Sequence, residues 1–148
     1  MPACHRVFPE NDLFVLRFSG HVTDEEYAAV IEAVLADPAH RIGMRQLVDL
    51  SALASFRPDP VALMKIEAAM LDILARGPGE QMVVAIAPHP PALKAIEMVR
   101  RSWDGLDQPL FFRLALDAAQ AALFLGLETA TIARALRETA ADEGRLHD

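Results

Sequence analysis

Cysteine is almost absent from this chain of 148 residues, in which Cys4 is the single example. One cysteine cannot form an intramolecular disulfide, and it cannot build a structural zinc site. The five histidines show no metal-ligand spacing, so we expect neither a bound metal nor another cofactor. A cytoplasmic location, where thiols stay reduced, is the simplest expectation.

Basic charge and long apolar runs are also scarce. Lys and Arg number 14 against 21 Asp and Glu, which gives a net charge of -7. A nucleic-acid or anionic-membrane surface needs a basic patch that neutralises phosphates, and the densest basic spot is only Arg100-Arg101. No apolar run has the length of a membrane span or of a signal peptide. We therefore expect no nucleic-acid partner, no membrane span and no secretory leader.

Turn residues and helix caps divide the chain into alternating strands and helices. Pro9-Glu10-Asn11-Asp12 separates two β-like runs and predicts a hairpin. Thr23 and Glu26 form a capping box, and Asp59 before Pro60 is a second helix start. Nearly continuous apolar runs predict buried strands, as expected in a parallel sheet. The predicted strands are 4–8, 13–19, 46–50, 82–87 and 110–116, and the later helices follow Pro88-His89-Pro90-Pro91 and Asp117.

The resulting order is β-β-α-β-α-β-α-β-α, which predicts an α/β fold with parallel strand pairs joined by helical crossovers. We expect a single domain over residues 1–127, with a mixed, mostly parallel sheet of about five strands and four helices. Residues 128–148 are rich in Ala, Glu and Arg. They are expected to form a helical or partly disordered tail.

Four stretches within residues 10–127 resemble the STAS superfamily (sulfate transporter and anti-sigma-factor antagonist domains). They are a strand ending in Gly before a capped helix, two buried strands, and a strand leading to an Asp-capped short helix. The stretches read FSGHVTDEEY (18–27), QLVDLSAL (46–53), VVAIAP (83–88) and FFRLALDAAQAALFLGL (111–127). The chain looks most like the bacterial, lipid-binding-like branch, and the resemblance implies a regulatory or ligand-binding module that is not an enzyme.

The resemblance also implies a regulatory position after the third strand. In anti-sigma-factor antagonists this strand leads to an Asp-Ser-Ser-Gly elbow whose serine is phosphorylated at a helix N-terminus, which stabilises a phosphate. Here the elbow reads Phe56-Arg57-Pro58-Asp59-Pro60, with Asp59 or Pro60 at the matching place and Ser51 and Ser55 upstream. Regulation by phosphorylation of a serine at the standard position is therefore not expected.

The sharpest site hypothesis is a binding site at the carboxyl ends of the strands, where ligands collect in open α/β sheets. This edge gathers the loops and strand ends that carry His21, Ser51, Ser55, Arg57, Asp59 and His89. Each has a plainer interpretation: Asp59 as a helix cap, the serines as turn hydroxyls, and the histidines as exposed loop residues. Asp49 on a buried strand needs hydrogen-bond partners.

Three functions remain open on the sequence. The first is a non-enzymatic, STAS-like regulatory or protein-interaction module that self-associates as a homodimer; if the strand with Phe111-Phe112 is an edge, its outward phenylalanine would contact a second copy. The second is a small-molecule or lipid-binding domain, favoured by the apolar fraction of 53% and by Trp103 and the methionines Met64, Met70 and Met98. The third is an enzyme that uses His89 with Asp49 or Asp59.

Overall fold

The computed structural model describes residues 2–77, 81–103 and 110–145, and strands alternate with helices after an opening hairpin. The strands are β1 Ala3–Phe8, β2 Leu13–Val22, β3 Arg45–Phe56, β4 Gln81–Ile86 and β5 Leu110–Ala115. The helices are α1 Asp24–Ala36, α2 Pro60–Leu74, α3 Pro90–Trp103, α4 Ala118–Leu125 and α5 Thr129–Arg145. The predicted α/β class with a mixed, mostly parallel sheet is confirmed.

The five strands form one sheet in the order β1-β2-β3-β4-β5. β1 pairs with β2 in antiparallel fashion, and the pairs from β2 to β5 are parallel. Each parallel connection moves one strand further in the same direction, so α1, α2 and α3 fall on one face of the sheet. The chain then returns across the opposite face as α4 and α5.

The helix starts follow the caps read from the sequence. Thr23 and Glu26 form the reciprocal capping box of α1. The carboxylate of Asp59 accepts from the backbone N–H of Ala62 at the start of α2. Asp117 caps α4 in the same way, whereas the Gln120 side chain accepts from the N–H of Leu116 and not from that of Asp117.

The tail predicted for residues 128–148 is an integral helix where the structure describes it. α5 packs along β1 and β2, and Ile132 and Thr139 on it are fully buried. Ile132 shares one hydrophobic core with Leu13 and Val15 of β2. The predicted boundary at residue 127 therefore does not separate two cores, and the prediction for residues 146–148 lies outside the described residues.

The third strand is longer than predicted. β3 runs to Phe56, so Ser51 and Ser55 lie on a strand and not on a turn. Pairing with β4 ends at Asp49, but pairing with β2 continues to Val22–Phe56 through two register shifts. We call residues 19–22 with 50–56 the β2–β3 extension. It forms because Leu53 and Phe56 still find buried surroundings beside β2.

Candidate functional site: an apolar cavity beneath α2

Helix α2 stands further from the strands than α3 does, and the difference follows from side-chain size. The inner side of α3 carries the small residues Ala92 and Ala95, which let this helix approach β3 closely. The inner side of α2 carries the larger side chains of Leu63, Glu67 and Met70. A cavity of about 60 Å³ remains between α2, α3 and the sheet, and we call it the α2 cavity.

Aromatic side chains form much of the α2 cavity wall. Tyr27 of α1 stacks on Phe18 of β2 and on Phe56 of β3, with ring centroids 5.9 Å and 5.5 Å apart. Trp103 at the end of α3 is buried and lines the same space together with Phe112 of β5. Phe56 belongs to the β2–β3 extension, so the longer strand supplies part of the wall. Flat, rigid rings give such a cavity a large apolar contact area.

Two buried glutamines supply polar groups in the α2 cavity wall. Gln46 begins the inner part of β3 and Gln81 begins β4, and their side chains are 8% and 7% exposed. Gln81 Nε2 donates to Gln46 Oε1 over 3.4 Å. An amide pair of this kind offers both donors and an acceptor to its surroundings without carrying a charge.

A second cavity of about 40 Å³ adjoins the first, and we call it the α1 cavity. It lies between α1, the loop before β3 and the far end of α2. Ile31, Val34 and His40 are among its lining residues. Gln46, Met70 and Gln81 line both cavities, so the two spaces meet at the glutamine pair.

Glu67 is a buried acid on the inner side of α2, only 2% exposed. Burial raises the pKa of Glu67, and the hydrogen bond with Ser102 offsets this rise only in part. Ser102 Oγ contacts Glu67 Oε1 and also lies 2.6 Å from the carbonyl oxygen of Val99. A hydroxyl has one proton, so it cannot donate to both oxygens. A protonated Glu67 that donates to Ser102 satisfies the whole arrangement.

The opposite face of the sheet carries a charged network that is centred on the middle residues of β2 and β3. Arg17 donates through Nη1 to Asp49 Oδ2 over 2.8 Å, and Ser51 donates through its N–H and Oγ to Asp49 Oδ1 over 3.0 Å and 2.6 Å. Glu143 of α5 accepts from Arg17 Nε and from Ser19 Oγ. Burial alone would raise the pKa of Glu143, but the hydrogen bonds from Ser19 and Arg17 lower it. The partners expected for Asp49 are therefore present.

Cys4 lies close to this network on β1. Its side chain is 5% exposed, and Sγ is 3.6 Å from the carbonyl oxygen of Thr139 on α5. Burial, reinforced by the nearby Glu143 carboxylate, raises the pKa of the Cys4 thiol to about 11. The thiol therefore packs between β1 and α5 in its neutral form.

The six site residues predicted from the sequence fall into two pairs, one helix cap and one exposed arginine. His21 Nδ1 and Ser55 Oγ are 2.7 Å apart on the β2–β3 extension, where His21 is exposed. Asp59 caps α2, and Arg57 is exposed beside it. Ser55, Arg57 and Asp59 lie in the last residues of β3 and the short segment before α2, which begins at Pro60.

His89 connects the β4–α3 turn to β3. Its Nδ1 accepts from the backbone N–H of Ala92 over 3.3 Å, so Nε2 carries the proton and donates to the carbonyl oxygen of Ser51 over 3.0 Å. Both ring nitrogens are occupied by backbone groups. In this arrangement neither nitrogen is free to exchange a proton with a bound molecule.

None of the six predicted site residues is among the described residues that line the α2 or α1 cavity. The pairing of Gln46 with Gln81 and the buried position of Glu67 were not predicted from the sequence. Both signals were present. Two glutamines at the starts of neighbouring buried parallel strands lie side by side, and positions 63, 67 and 70 share one helix face by their spacing.

Two further features bear on the chemistry available. Within residues 2–77, 81–103 and 110–145, no three His, Cys, Asp or Glu side chains are grouped so that they could hold a metal ion. No helix in the described part of the chain is long and apolar enough to cross a membrane.

No protein-family model matches the chain, and no curated protein matches it.

Proposed function

We propose that this chain is a non-catalytic binding module that takes a small apolar molecule into the α2 cavity, on a fold of the STAS-like kind. The observation that carries the proposal is an aromatic-lined space beneath a helix that stands away from the sheet. Small-molecule sites have this character: concave, mostly apolar, with a few placed polar groups. Met70 and Trp103, singled out from the sequence as pocket candidates, both line the cavity.

The polar groups support binding in preference to catalysis. His89 has both ring nitrogens bonded to the backbone. Asp49 is saturated by Arg17 and Ser51, and Asp59 is used as a helix cap. A general acid or base needs a nitrogen or oxygen free to reach a proton of the substrate. Under the enzyme hypothesis, each of these residues would first have to break a hydrogen bond that it makes within the protein.

Native mass spectrometry of protein purified from its own host tests the proposal. We expect a co-purifying mass that disappears under denaturing conditions. Ala95→Leu projects a larger side chain into the cavity and is expected to abolish the adduct, whereas Ala119→Leu on the exposed side of α4 is expected to retain it. Circular dichroism checks that both variants fold. A bare protein mass for all three proteins contradicts the proposal.

A second function, self-association as a homodimer, is favoured by exposed apolar side chains at one edge of the sheet. In the described sheet β5 pairs with β4 alone, and Phe111 on it is 41% exposed. Leu123 and Phe124 of α4, on the same side of the molecule, are also exposed. Unpaired edges with outward apolar residues are places where a second chain docks.

Sedimentation equilibrium tests this second function. Leu123→Glu changes a side chain that is 82% exposed, so it leaves the fold intact and is expected to weaken the dimer. Met64→Glu on the exposed side of α2 is the matched control and is expected to leave the dimer unchanged. The reverse result assigns self-association to the α2 surface beside Arg57. A monomer in every sample contradicts the homodimer.

A further inference from the structure

The Gln46–Gln81 pair has hydrogen-bonding capacity that the protein leaves unused. The single contact between the two amides engages Gln81 Nε2 and Gln46 Oε1. Among the residues that the structure describes, none hydrogen-bonds to the remaining amide atoms, Gln46 Nε2 and Gln81 Oε1. Both residues are more than nine-tenths buried, yet no fully buried side-chain nitrogen or oxygen in the described part of the chain lacks a partner, so these two amide atoms keep some accessible surface where the residues line the cavities. The pair is therefore built to meet a polar group that enters the cavities.

The surroundings of the pair are uncharged. No Asp, Glu, Lys or Arg is among the described residues that line the α2 cavity or the α1 cavity. The titratable side chains there are Tyr27 and His40. Burial raises the pKa of Tyr27 and lowers the pKa of His40, so both favour their neutral forms. An ionised group would lose its hydration here without gaining a counter-charge.

The pair also sits between two apolar spaces. Gln46 and Gln81 line the α2 cavity of about 60 Å³ on one side and the α1 cavity of about 40 Å³ on the other. A cavity needs about 10–15 Å³ to admit one water-sized group, so each of the two spaces is large enough for a short apolar arm, and the α2 cavity has room for the longer one. A molecule that fills both spaces presents its middle to the glutamines.

We propose that the Gln46–Gln81 pair recognises one uncharged carbonyl or hydroxyl group in the interior of the bound molecule, which places one short apolar arm in each cavity. The inference rests on the proposed function, because it requires that the α2 cavity binds a ligand. It deepens that function by naming the ligand class: a neutral molecule with a central polar group, as distinct from a pure hydrocarbon or a terminal carboxylate.

Nonan-4-one and nonane are suitable probes, because nonan-4-one carries a carbonyl between arms of three and five carbons and nonane has the same length. Trp103 is the single tryptophan and lines the α2 cavity, so its fluorescence reports occupancy directly. The measured quantity is the ratio of the two affinities in the wild-type protein and in Gln46→Met/Gln81→Met. Comparing ratios removes the different water solubilities of the probes.

We expect the preference for nonan-4-one over nonane to fall about fivefold or more in the double variant, since Met fills the same volume without a hydrogen bond. Gln120→Met, which removes a surface amide of the same size, is expected to preserve the wild-type ratio. The single variants Gln46→Met and Gln81→Met replace the double variant if it does not fold.

The outcomes separate the two proposals. If both probes bind saturably and the ratio is unchanged in the Gln46 and Gln81 variants, the inference is overturned while the proposed function stands. If neither probe alters Trp103 fluorescence in any protein, the proposed function fails. Nonanoate that binds the wild-type protein more tightly than nonan-4-one at pH 8 also overturns the inference, because it would place an ionised group in the uncharged site.

Discussion

Arg17 on β2 donates through Nε to Oε2 of Glu143 on α5 over 2.7 Å, and so joins positions 126 residues apart in the chain. The same guanidinium reaches Asp49 on β3. The Arg17 side chain therefore links α5 to β2 and β3, the two strands that form the β2–β3 extension. The side chains of Arg17 and Glu143 are 19% and 16% exposed, so solvent screens this pair only weakly.

Replacing Glu143 with Gln is expected to lower the free energy of unfolding by about 2 kcal/mol at neutral pH, because a charge-assisted hydrogen bond to a largely buried Arg is lost. Glu138→Gln is the matched control on the same helix. Glu138 lies 3.9 Å from Arg6 and both side chains are well exposed, so the expected loss is below about 1 kcal/mol. Urea denaturation measures both, and equal losses contradict the prediction.

The same carboxylate predicts a pH dependence of stability. The folded pKa of Glu143 lies below its ordinary value of 4.5, so the unfolded chain binds protons first as the pH falls. The stabilisation by Glu143 is therefore complete above pH 4.5 and is lost as the pH falls through the folded pKa. The difference in stability between wild type and Glu143→Gln should shrink over that acidic range.

For Glu67 we expect folding stability to change with pH in the opposite direction. Its folded pKa lies above 4.5, so the unfolded chain loses its proton first as the pH rises, and stability decreases until the folded pKa is passed. Glu67→Gln keeps a donor for Ser102 and removes the titration. We expect its melting temperature to match wild type near pH 4, to exceed it by a growing amount as the pH rises from 4.5 to the folded pKa, and to keep a constant excess above that.

Glu97→Gln on the exposed side of α3 is the control for this experiment, since Glu97 forms an ion pair with Arg100 in which both side chains are exposed. Thermal unfolding followed by circular dichroism at several pH values measures all three proteins. A constant offset between Glu67→Gln and wild type at every pH would show that Glu67 does not titrate differently in the folded protein.

Met70 sits where the α2 and α1 cavities meet, and it is partly buried. Met70→Ala is expected to cost about 1–2 kcal/mol of stability and to merge the two cavities into a wider space. Titrations with symmetrical and longer ketones, read through Trp103, should then show the preferred chain length shifting upward. Met98→Ala, which removes the same side chain from α3 outside both cavity walls, should leave the preferred length unchanged.

The carboxylate of Asp59 caps α2, and Asp59 or Pro60 is the residue that a STAS-like alignment would place opposite a phosphorylated serine. Asn accepts the same backbone hydrogen bond without the charge. Asp59→Asn is therefore expected to retain stability within about 0.5 kcal/mol, and Asp59→Ala to lose about 1 kcal/mol. If Asp59→Asn alters self-association or ligand binding while stability is kept, the charge of Asp59 has a role beyond the cap.

Local signals predicted the order of the elements well. Thr23, Asp59 and Asp117 mark helix starts by side-chain hydrogen bonds that need no tertiary context. The end of β3 could not be predicted in this way. Residues 51–56 read Ser-Ala-Leu-Ala-Ser-Phe, which lacks the polar–apolar alternation of a half-buried strand, and they become a strand only because β2 runs alongside with two register shifts.

The α2 cavity could not be predicted from local sequence signals either. Apolar spacing alone favours Leu93 as an inward residue of α3, but its side chain is 39% exposed, and the small Ala92 and Ala95 face the sheet. Which residues of α3 face the sheet depends on how closely the helix approaches β3, and that distance is set only when the helices pack on the sheet. The distance between α2 and the sheet likewise depends on how Glu67 and Met70 pack against a surface that three other elements form.

Cys4 makes the molecule easy to label at one chosen place. With a pKa of about 11 and a buried sulfur, its thiolate fraction is on the order of one in a thousand at pH 8, and thiol reagents attack the thiolate. A cysteine introduced at the exposed position of Met64 on α2 would therefore react alone. A fluorophore there, paired with Trp103, gives a distance that follows α2 as the cavity fills and empties.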